Sequence, residues 1–505
     1  MFLDLPNELI LLIAEETAIW GDGDLFALLR TNRALHDLLL PFLYALNADE
    51  GGDALLWCAE YGFEKGVQRL LSLDVNPDLL DIPWSIDEDS LRLRDNKKAA
   101  LHLASLYGHE GVVNTLLKHG AEVNLLDERS LTPLSYAVLH GHITIVKLLL
   151  ENGASCDFPG DEITDSRHAR WLSPLHCLSL PSRLSTPTWE PIFSLLLQHG
   201  TDINVQHGEM DTPLNYVTQE RGTVISVPES ISRLLLEHGA DVHAVTQSDE
   251  TPLHLSALVA HDDGVKVVKM LLERGADVNA QNDTGDTPLH LSALDYRDCT
   301  KVLLEHGADV NARNSEGQTP LRIAVEEKIL PTVRLLLAHG ADATIVDDDT
   351  GNNLLNLVGL SSKEDEVNLE IMTMLLDHGA DVNHANYEGM TPLLYATCPE
   401  NMPEDFYEHE RKDIVKLLLD RGADVNAKTP KGINALHLTL KNGHCGFVHG
   451  FVEIFIENGI DVNAALVDGR TPLDMVKNKE TRVILKHEIA LLRQHGARNG
   501  VRTGA

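Results

Sequence analysis

Two short phrases recur in fixed order from about Lys98 to Gly496, and nothing else in the chain limits its fold as much. The first is Thr-Pro-Leu-His or a close variant. It stands at Thr132-Pro133-Leu134, Ser173-Pro174-Leu175-His176, Thr212-Pro213-Leu214, Thr251-Pro252-Leu253-His254, Thr287-Pro288-Leu289-His290, Thr319-Pro320-Leu321, Thr391-Pro392-Leu393 and Thr471-Pro472-Leu473. The second, Leu-Leu-x-x-Gly-Ala-Asp-Val-Asn, carries the glycines Gly120, Gly153, Gly200, Gly239, Gly275, Gly307, Gly340, Gly379, Gly422, Gly459 and Gly496. Their spacings run from 32 to 47 residues, so a unit of about 33 residues repeats with insertions in most copies.

Each phrase has a mechanical meaning. Thr before Pro starts a helix, because the hydroxyl accepts an early backbone N–H and proline suits the first helical position. The glycine suits the left-handed residue that stops a second helix, and the apolar spacing before it makes one buried stripe. A unit is therefore a helix, a turn, a second helix and an extended finger, and its stripes are buried only when units stack. The pattern resembles the ankyrin repeat. The resemblance implies an all-α solenoid of about 11 to 12 helix-turn-helix units over residues 98–498, opened by a degenerate unit at 51–76 that would serve as its cap. An insert at 77–97 and a disordered tail at 499–505 complete that reading. Further insertions, at 159–170, 180–191, 221–228, 361–368 and 399–412, fall mainly between the two helices of a unit, where a loop lengthens without breaking the stack.

Residues 1–47 follow another pattern. Pro6 before Leu9, Ile10 and Ile13 predicts one amphipathic helix, Leu25, Leu28 and Leu29 a second, and Leu35, Leu38 and Leu39 a third. A core this small needs a partner or the adjoining stack. The order Leu3-x-Leu5-Pro6-x-Glu8-Leu9, then Asp24-Leu25-x-x-Leu28-Leu29, then Pro41-x-Leu43-Tyr44 resembles an F-box. That resemblance implies docking on the Skp-type adaptor of a cullin-RING ubiquitin ligase, with Leu5, Pro6, Leu9, Ile10, Ile13, Leu25 and Leu28 in the core and adaptor-facing positions. The stretch Thr17 to Gly23 is longer than the family's usual link, and its late tryptophan is absent. An F-box followed at once by ankyrin repeats also resembles a large group of fungal proteins.

Composition narrows the function classes. Lys and Arg total 41 against 77 Asp and Glu, a formal charge of −36, so a basic surface that would bind nucleic acid is not expected. Fifteen of the acids occupy two repeat slots, typified by Asp309 and Glu305, so part of the charge belongs to the repeat itself. The six cysteines lie far apart without a Cys-x-x-Cys pair, and no apolar run reaches the length of a membrane span. A cytoplasmic or nuclear protein with no membrane association is expected. Twelve of the 25 histidines fill two repeat slots: His102, His176, His254, His290 and His437 follow the Thr-Pro-Leu position, and His119, His199, His238, His306, His339, His378 and His495 precede the glycine. The ankyrin resemblance implies structural hydrogen bonds between neighbouring units at both slots. His487-Glu488 lacks the second histidine of a zinc helix, since Leu491 stands in its place, and no phosphate-binding loop occurs. No catalytic residue, metal or cofactor is expected.

What remains is recognition surface. In stacks of this family the fingers and the exposed side of the first helices make the contacts. Mapped onto this sequence, those positions are Leu106, Tyr107, Glu128, Arg129, Leu139, His140, Asp283, Thr284, Asp286, Asp295, Ser315, Glu316, Tyr387, Glu388, Met390 and Lys431. Two readings follow: a non-enzymatic substrate-recognition subunit of a cullin-RING ligase, or an interaction scaffold without a ubiquitin link whose N-terminal helices only cap the stack.

Overall fold

A helix pair of this kind starts where a threonine hydroxyl holds the first turn. The Oγ1 of Thr132 accepts the N–H of Ser135 at 3.1 Å, and Thr319 accepts Arg322 N–H at 3.3 Å, each ahead of a proline in the first helical turn. In two units without the Thr-Pro start asparagine replaces it: Asn353 Oδ1 accepts Asn356 N–H at 3.0 Å and Asn434 Oδ1 accepts His437 N–H at 3.1 Å, whereas Ala99 starts the helix Ala100–Tyr107 with no side-chain cap. The second helix ends in a left-handed glycine. At Gly307, φ is +86° and a Cβ would meet nothing within 4 Å, so backbone conformation and not space selects glycine. The Ala308 N–H then reaches back to Leu303 O at 3.0 Å, closing the helix end.

The computed structural model describes residues 53–79, 98–157, 173–178, 189–206, 211–219, 229–259, 262–294, 297–360, 365–397, 408–441, 448–476 and 485–500. The expected docking segment 1–47 and most of the insert 77–97 lie outside these residues. Among the described residues there are twelve helix pairs and no strand beyond one isolated bridge, Val346 to Asn353. They divide into two compact bodies, 1–217 with 223–247, and 218–222 with 248–505.

The first body holds α1 (Asp53–Tyr61), α2 (Glu64–Leu71), α3 (Ala100–Tyr107), α4 (Glu110–Lys118), α5 (Pro133–Leu139), α6 (Ile143–Glu151), α7 (Pro174–Leu178), α8 (Trp189–Gln198), α9 (Pro213–Thr218, apart from Thr218) and α10 (Glu229–Glu237). First helices pack in the series α1, α3, α5, α7, and second helices in the series α2, α4, α6, α8. The second body holds α11 (Pro252–Ala257), α12 (Asp262–Glu273), α13 (Pro288–Ser292), α14 (Arg297–Glu305), α15 (Pro320–Glu326), α16 (Leu330–Ala338), α17 (Leu354–Leu360), α18 (Asp365–Asp377), α19 (Pro392–Ala396), α20 (Glu408–Asp420), α21 (Ala435–Lys441) and α22 (Val448–Glu457). A 3-10 helix at Pro472–Met475 and α23 (Lys486–Gln494) make the last pair. The same two series of like-on-like packing run through it.

Polar side chains tie successive units together. Asn426 donates from Nδ2 to Gly459 O at 3.2 Å, and its Oδ1 accepts the Asp461 N–H at 2.7 Å. Asn124, Asn311, Asn383 and Asn463 make the same double bond to the unit that follows. In other units the slot holds Asp78 or Asp157, which accept the Glu122 and Asp202 N–H groups of the next unit, or His243 or Thr344. The stack ends on Asp474, which accepts Gly500 N–H at 2.7 Å and Asn499 Nδ2 at 2.7 Å. Hydrogen bonding therefore reaches Gly500, two residues into the segment read from sequence as tail. Burial pushes the Asp474 carboxyl up, but the donors from Thr471, Asn499 and Gly500 outweigh it and hold the group below the usual carboxylate range.

Replacing Asn426 with Ala removes one donor and one acceptor that no water-filled space reproduces in the same geometry. We expect a loss of about 1 to 2 kcal/mol, read as a lower urea midpoint for the second body; an unchanged midpoint would refute the role given to the staple.

Candidate interaction surface

Several fingers are tight turns held by one side chain. Asn282 Oδ1 accepts the N–H groups of Thr284 (3.1 Å) and Asp286 (2.8 Å); Asn314 does the same for Glu316 and Gln318, and Asn386 for Glu388 and Met390. In the first body Asp127 takes this part, accepting Arg129 and Leu131 N–H, and Tyr136 donates its hydroxyl to the same carboxylate at 2.6 Å. The tips are linked by backbone: Ser315 N–H donates to Thr284 O at 2.9 Å, Tyr387 to Thr350 O at 3.2 Å and Val467 to Lys431 O at 3.2 Å. Within the second body the turns thus present their two outermost residues outward, tip beside tip.

Glu128, Arg129, Asp283, Thr284, Ser315, Glu316, Tyr387, Glu388 and Lys431 are exposed at these tips. Tyr387 is 71% exposed even though its ring lies on Gly351, where a Cβ would come within 2.8 Å of it, and its hydroxyl donates to Asp348 O at 3.3 Å. Asp286 and Met390 have structural duties. The Asp286 carboxylate accepts the Thr284 hydroxyl and Asn314 Nδ2, both at 2.8 Å, and Met390 is half-buried with its carbonyl accepting Asn386 N–H. At the first-helix ends, Tyr107 is exposed and stacks on His109 with centroids 6.4 Å apart, Leu106 and Leu139 are half-buried, and exposed His140 stacks on His142 at 6.2 Å. Leu5, Pro6, Leu9, Ile10, Ile13, Leu25, Leu28 and Asp295 lie outside the described residues.

Sequence reasoning passed over Val467, which at 84% exposure is the most open large apolar side chain of the described residues. Its signal was available: in Leu466-Val467-Asp468-Gly469 it fills the slot that Tyr387 fills in Asn386-Tyr387-Glu388-Gly389. It also passed over Arg322, which replaces the histidine of the first phrase and forms an ion pair with Asp347 of the following finger. Arg313 faces Asp348 in the same finger at 3.6 Å.

The repeated histidines are consumed by the stack. His254 accepts Thr251 N–H at Nδ1 (3.1 Å), so the proton sits on Nε2, which donates to Asp286 O at 3.0 Å. His290 repeats this toward Gln318 O and His176 reaches Asp211 O, both at 3.1 Å. In the other slot the expected bond between units is not what the structure shows: Nδ1–H closes the helix end of its own unit, as from His306 to Val302 O at 2.8 Å. Burial lowers the pKa of His102 to about 4 and that of His254 and His290 below the ordinary value, against the raising pull of the carbonyls they bond. Burial also pushes the Cys58, Cys177 and Cys299 thiols up to about 12, which leaves them protonated. Among the described residues no group of three His, Cys, Asp or Glu side chains is placed to hold a metal, and no helix is long and apolar enough to cross a membrane.

The family pattern described as "Ankyrin repeats (3 copies)" matches residues 83–159, 189–282, 258–347 and 406–483, more than half of the chain. The chain belongs to the ankyrin-repeat family. Ankyrin repeats bind protein partners, and protein–protein interaction is the role this fold indicates. Among solved structures the chain is similar to the human ASB11 ankyrin repeat domain, with 26% identity, 51% of this chain and 99% of that one covered, and a TM-score of 0.39. It is also similar to the ankyrin repeat domain of Bcl-3, a member of the IkappaB protein family, at 28% identity over 45% of this chain and 94% of that one, with a TM-score of 0.36. No curated protein matches.

A histidine that must stay neutral when folded ties ankyrin stability to pH. The unfolded side chain takes up a proton near pH 6.5 and the folded one only at lower pH, so stability is full above 6.5 and is lost as pH falls below it, down to about 4 in the case of His102. Asn215 and Asn356 already fill the same slot in other units. His254→Asn with His290→Asn should therefore flatten the fall in melting temperature between pH 7.5 and 5; an unchanged slope would show that these histidines do not carry it.

Proposed function

We propose that this chain is the substrate-recognition subunit of a cullin-RING ubiquitin ligase and performs no chemistry itself. Residues 1–47 dock a Skp-type adaptor through Leu5, Pro6, Leu9, Ile10, Ile13, Leu25 and Leu28, and the ankyrin fingers hold a protein that other subunits modify. The observation that carries the recognition half is the row of finger tips, whose side chains are exposed while the polar groups behind them are bonded within the stack. The docking half is supported by the F-box-like order of residues 3–44.

Ubiquitin transfer by such a complex needs only that the bound protein be held near the transferring subunit, which is a matter of effective concentration. The recognition subunit supplies no nucleophile and no proton relay. Its tips instead offer an aromatic ring with two charged neighbours in the same row, Tyr387 with Glu388 and Lys431, and an aliphatic surface at Val467. Large rings with a polar end are the side chains that most often dominate binding energy at interfaces.

Full-length protein co-expressed with the adaptor should retain it through size-exclusion chromatography. Leu5→Ala, Pro6→Ala and Leu9→Ala together should reduce retention about tenfold or more, the scale of losing buried interface anchors. Loss of retention by the unsubstituted protein, or full retention by the triple variant, would defeat the docking half. The recognition half is separate: Tyr387→Ala should leave the melting temperature of the second body unchanged while weakening capture of the modified protein.

A further inference from the structure

The ring of Tyr387 lies with one face against backbone and the other face open. A Cβ placed on Gly351 would stand 2.8, 2.9 and 3.0 Å from Cδ1, Cε1 and Cγ of this ring. Near-equal distances to three adjacent ring carbons put that point over the face of the ring and not at its edge. The hydroxyl donates to Asp348 O at 3.3 Å, which fixes the far end. The 71% exposure of Tyr387 therefore belongs to the opposite face and the rim. Acidic residues adjoin both ends of the ring: Glu388 follows it in the chain, and Asp349 follows Asp348, whose carbonyl takes the hydroxyl. Both are exposed, and among the described residues no ion pair or hydrogen bond reaches either carboxylate. Lys431 on the next finger is exposed and pairs with neither.

The first body shows what completes such a set. There Asp127 accepts the Tyr136 hydroxyl at 2.6 Å, and Lys98 Nζ lies 5.4 Å from the centre of the same ring. The cation is drawn by the negative face of the ring and by the carboxylate together. At Tyr387 the ring and the acids are in place, and among the described residues no basic side chain lies over the ring. The cation has to come from a partner.

We propose that the open face of Tyr387 seats an arginine side chain of the protein held by the finger tips, with Glu388 and Asp349 as its counter-ions. The assignment rests on the reading of the fingers as the recognition surface and names the chemistry they recognise. A planar guanidinium stacks flat on a ring while its N–H groups point sideways to carboxylates, whereas a lysine ammonium is a compact and strongly hydrated charge. A ring already fixed at both ends loses little freedom when it is covered. The formal charge of −36 adds long-range attraction for a basic segment.

Full-length protein labelled with meta-fluorotyrosine is titrated with the peptide acetyl-Gly-Arg-Gly-Arg-Gly-amide at about 150 mM salt, where distant charges are screened. The fluorine resonances of Tyr387 and Tyr107 are followed, each assigned by its loss on substitution with Phe. The arginine peptide should shift the Tyr387 resonance to saturation, and the same peptide built with citrulline, which keeps the shape without the charge, should leave it in place. The lysine peptide should bind about threefold or more weakly, and Glu388→Gln with Asp349→Asn should weaken the arginine peptide about fivefold or more. An unmoved Tyr387 resonance overturns the proposal, as does an equal response to citrulline or to lysine. An equal shift at Tyr107, which is exposed in the first body, marks general attraction to an acidic chain and overturns it too. The two readings fail separately: if Tyr387→Ala weakens capture of the modified protein while the arginine peptide leaves the resonance unmoved, the recognition surface stands and the arginine seat falls.

Discussion

No helix pair in this chain can bury its apolar stripe by itself, and every other feature follows from that. The hydrophobic surface of one pair is covered by the next, first helix on first helix and second on second, so the repeated leucines and valines have water-free surroundings only in a stack. Apolar contact alone, however, would let adjacent pairs slide or rotate. Directed bonds remove that freedom. Each Asn426-type carboxamide accepts one backbone N–H and donates to one carbonyl of the following unit, and each His254-type ring bridges its own helix start to the next finger. The cost of leaving such buried groups unpaired is what makes one register the stable one.

The same bonds explain why so many residues that look reactive are not. Histidines that would be ligands or bases in another setting are held neutral between a backbone N–H and a carbonyl, and the buried thiols remain protonated. Polar side chains in the turns, such as Asn282 and Asp127, spend their acceptors on the finger backbone. What is left outward is the pair of residues at each tip. Identity at those positions varies from Asp283 and Ser315 to Tyr387 and Val467, with no structural bond from the side chain of Val467 to constrain it. A surface whose framework is fixed and whose tips are variable is suited to recognising a protein.

Much of this was legible in the amino-acid sequence because the repeat writes each physical requirement many times. Thr before Pro announced helix starts, and the glycine after Leu-Leu-x-x announced helix ends. The slot shared by His102, His176, His254 and His290 announced a scaffold role that their hydrogen bonds to the next finger bear out, while His437 bonds to Asn434 at its own helix start. The site was read less completely. Asp286 and Met390 stand beside exposed residues in sequence, and only the fold shows the Asp286 carboxylate bound to Asn314 and Met390 turned half inward. Val467 stands four residues before Thr471-Pro472 as Tyr387 stands before Thr391-Pro392, so its slot was legible, but only the fold shows how far the turn lifts it into solvent. Arg322 interrupts the histidine column, and its partner Asp347 lies 25 residues away on a finger with an inserted residue. Local spacing carries none of that information.

The central claim is that side chains from one unit hold the backbone of the next, and it is tested most directly by residue-resolved amide hydrogen exchange on the intact protein. The N–H groups of Asp309, Asp342, Asp424 and Asp461 sit on exposed residues outside helices and donate to Asn279, Asn311, Asn383 and Asn426 respectively. Asp381 follows the unit in which Thr344 replaces that asparagine, and it serves as the internal control. The account predicts exchange at the four bonded amides about tenfold or more slower than at Asp381. Exchange at all five at the rate of an unstructured peptide would contradict it.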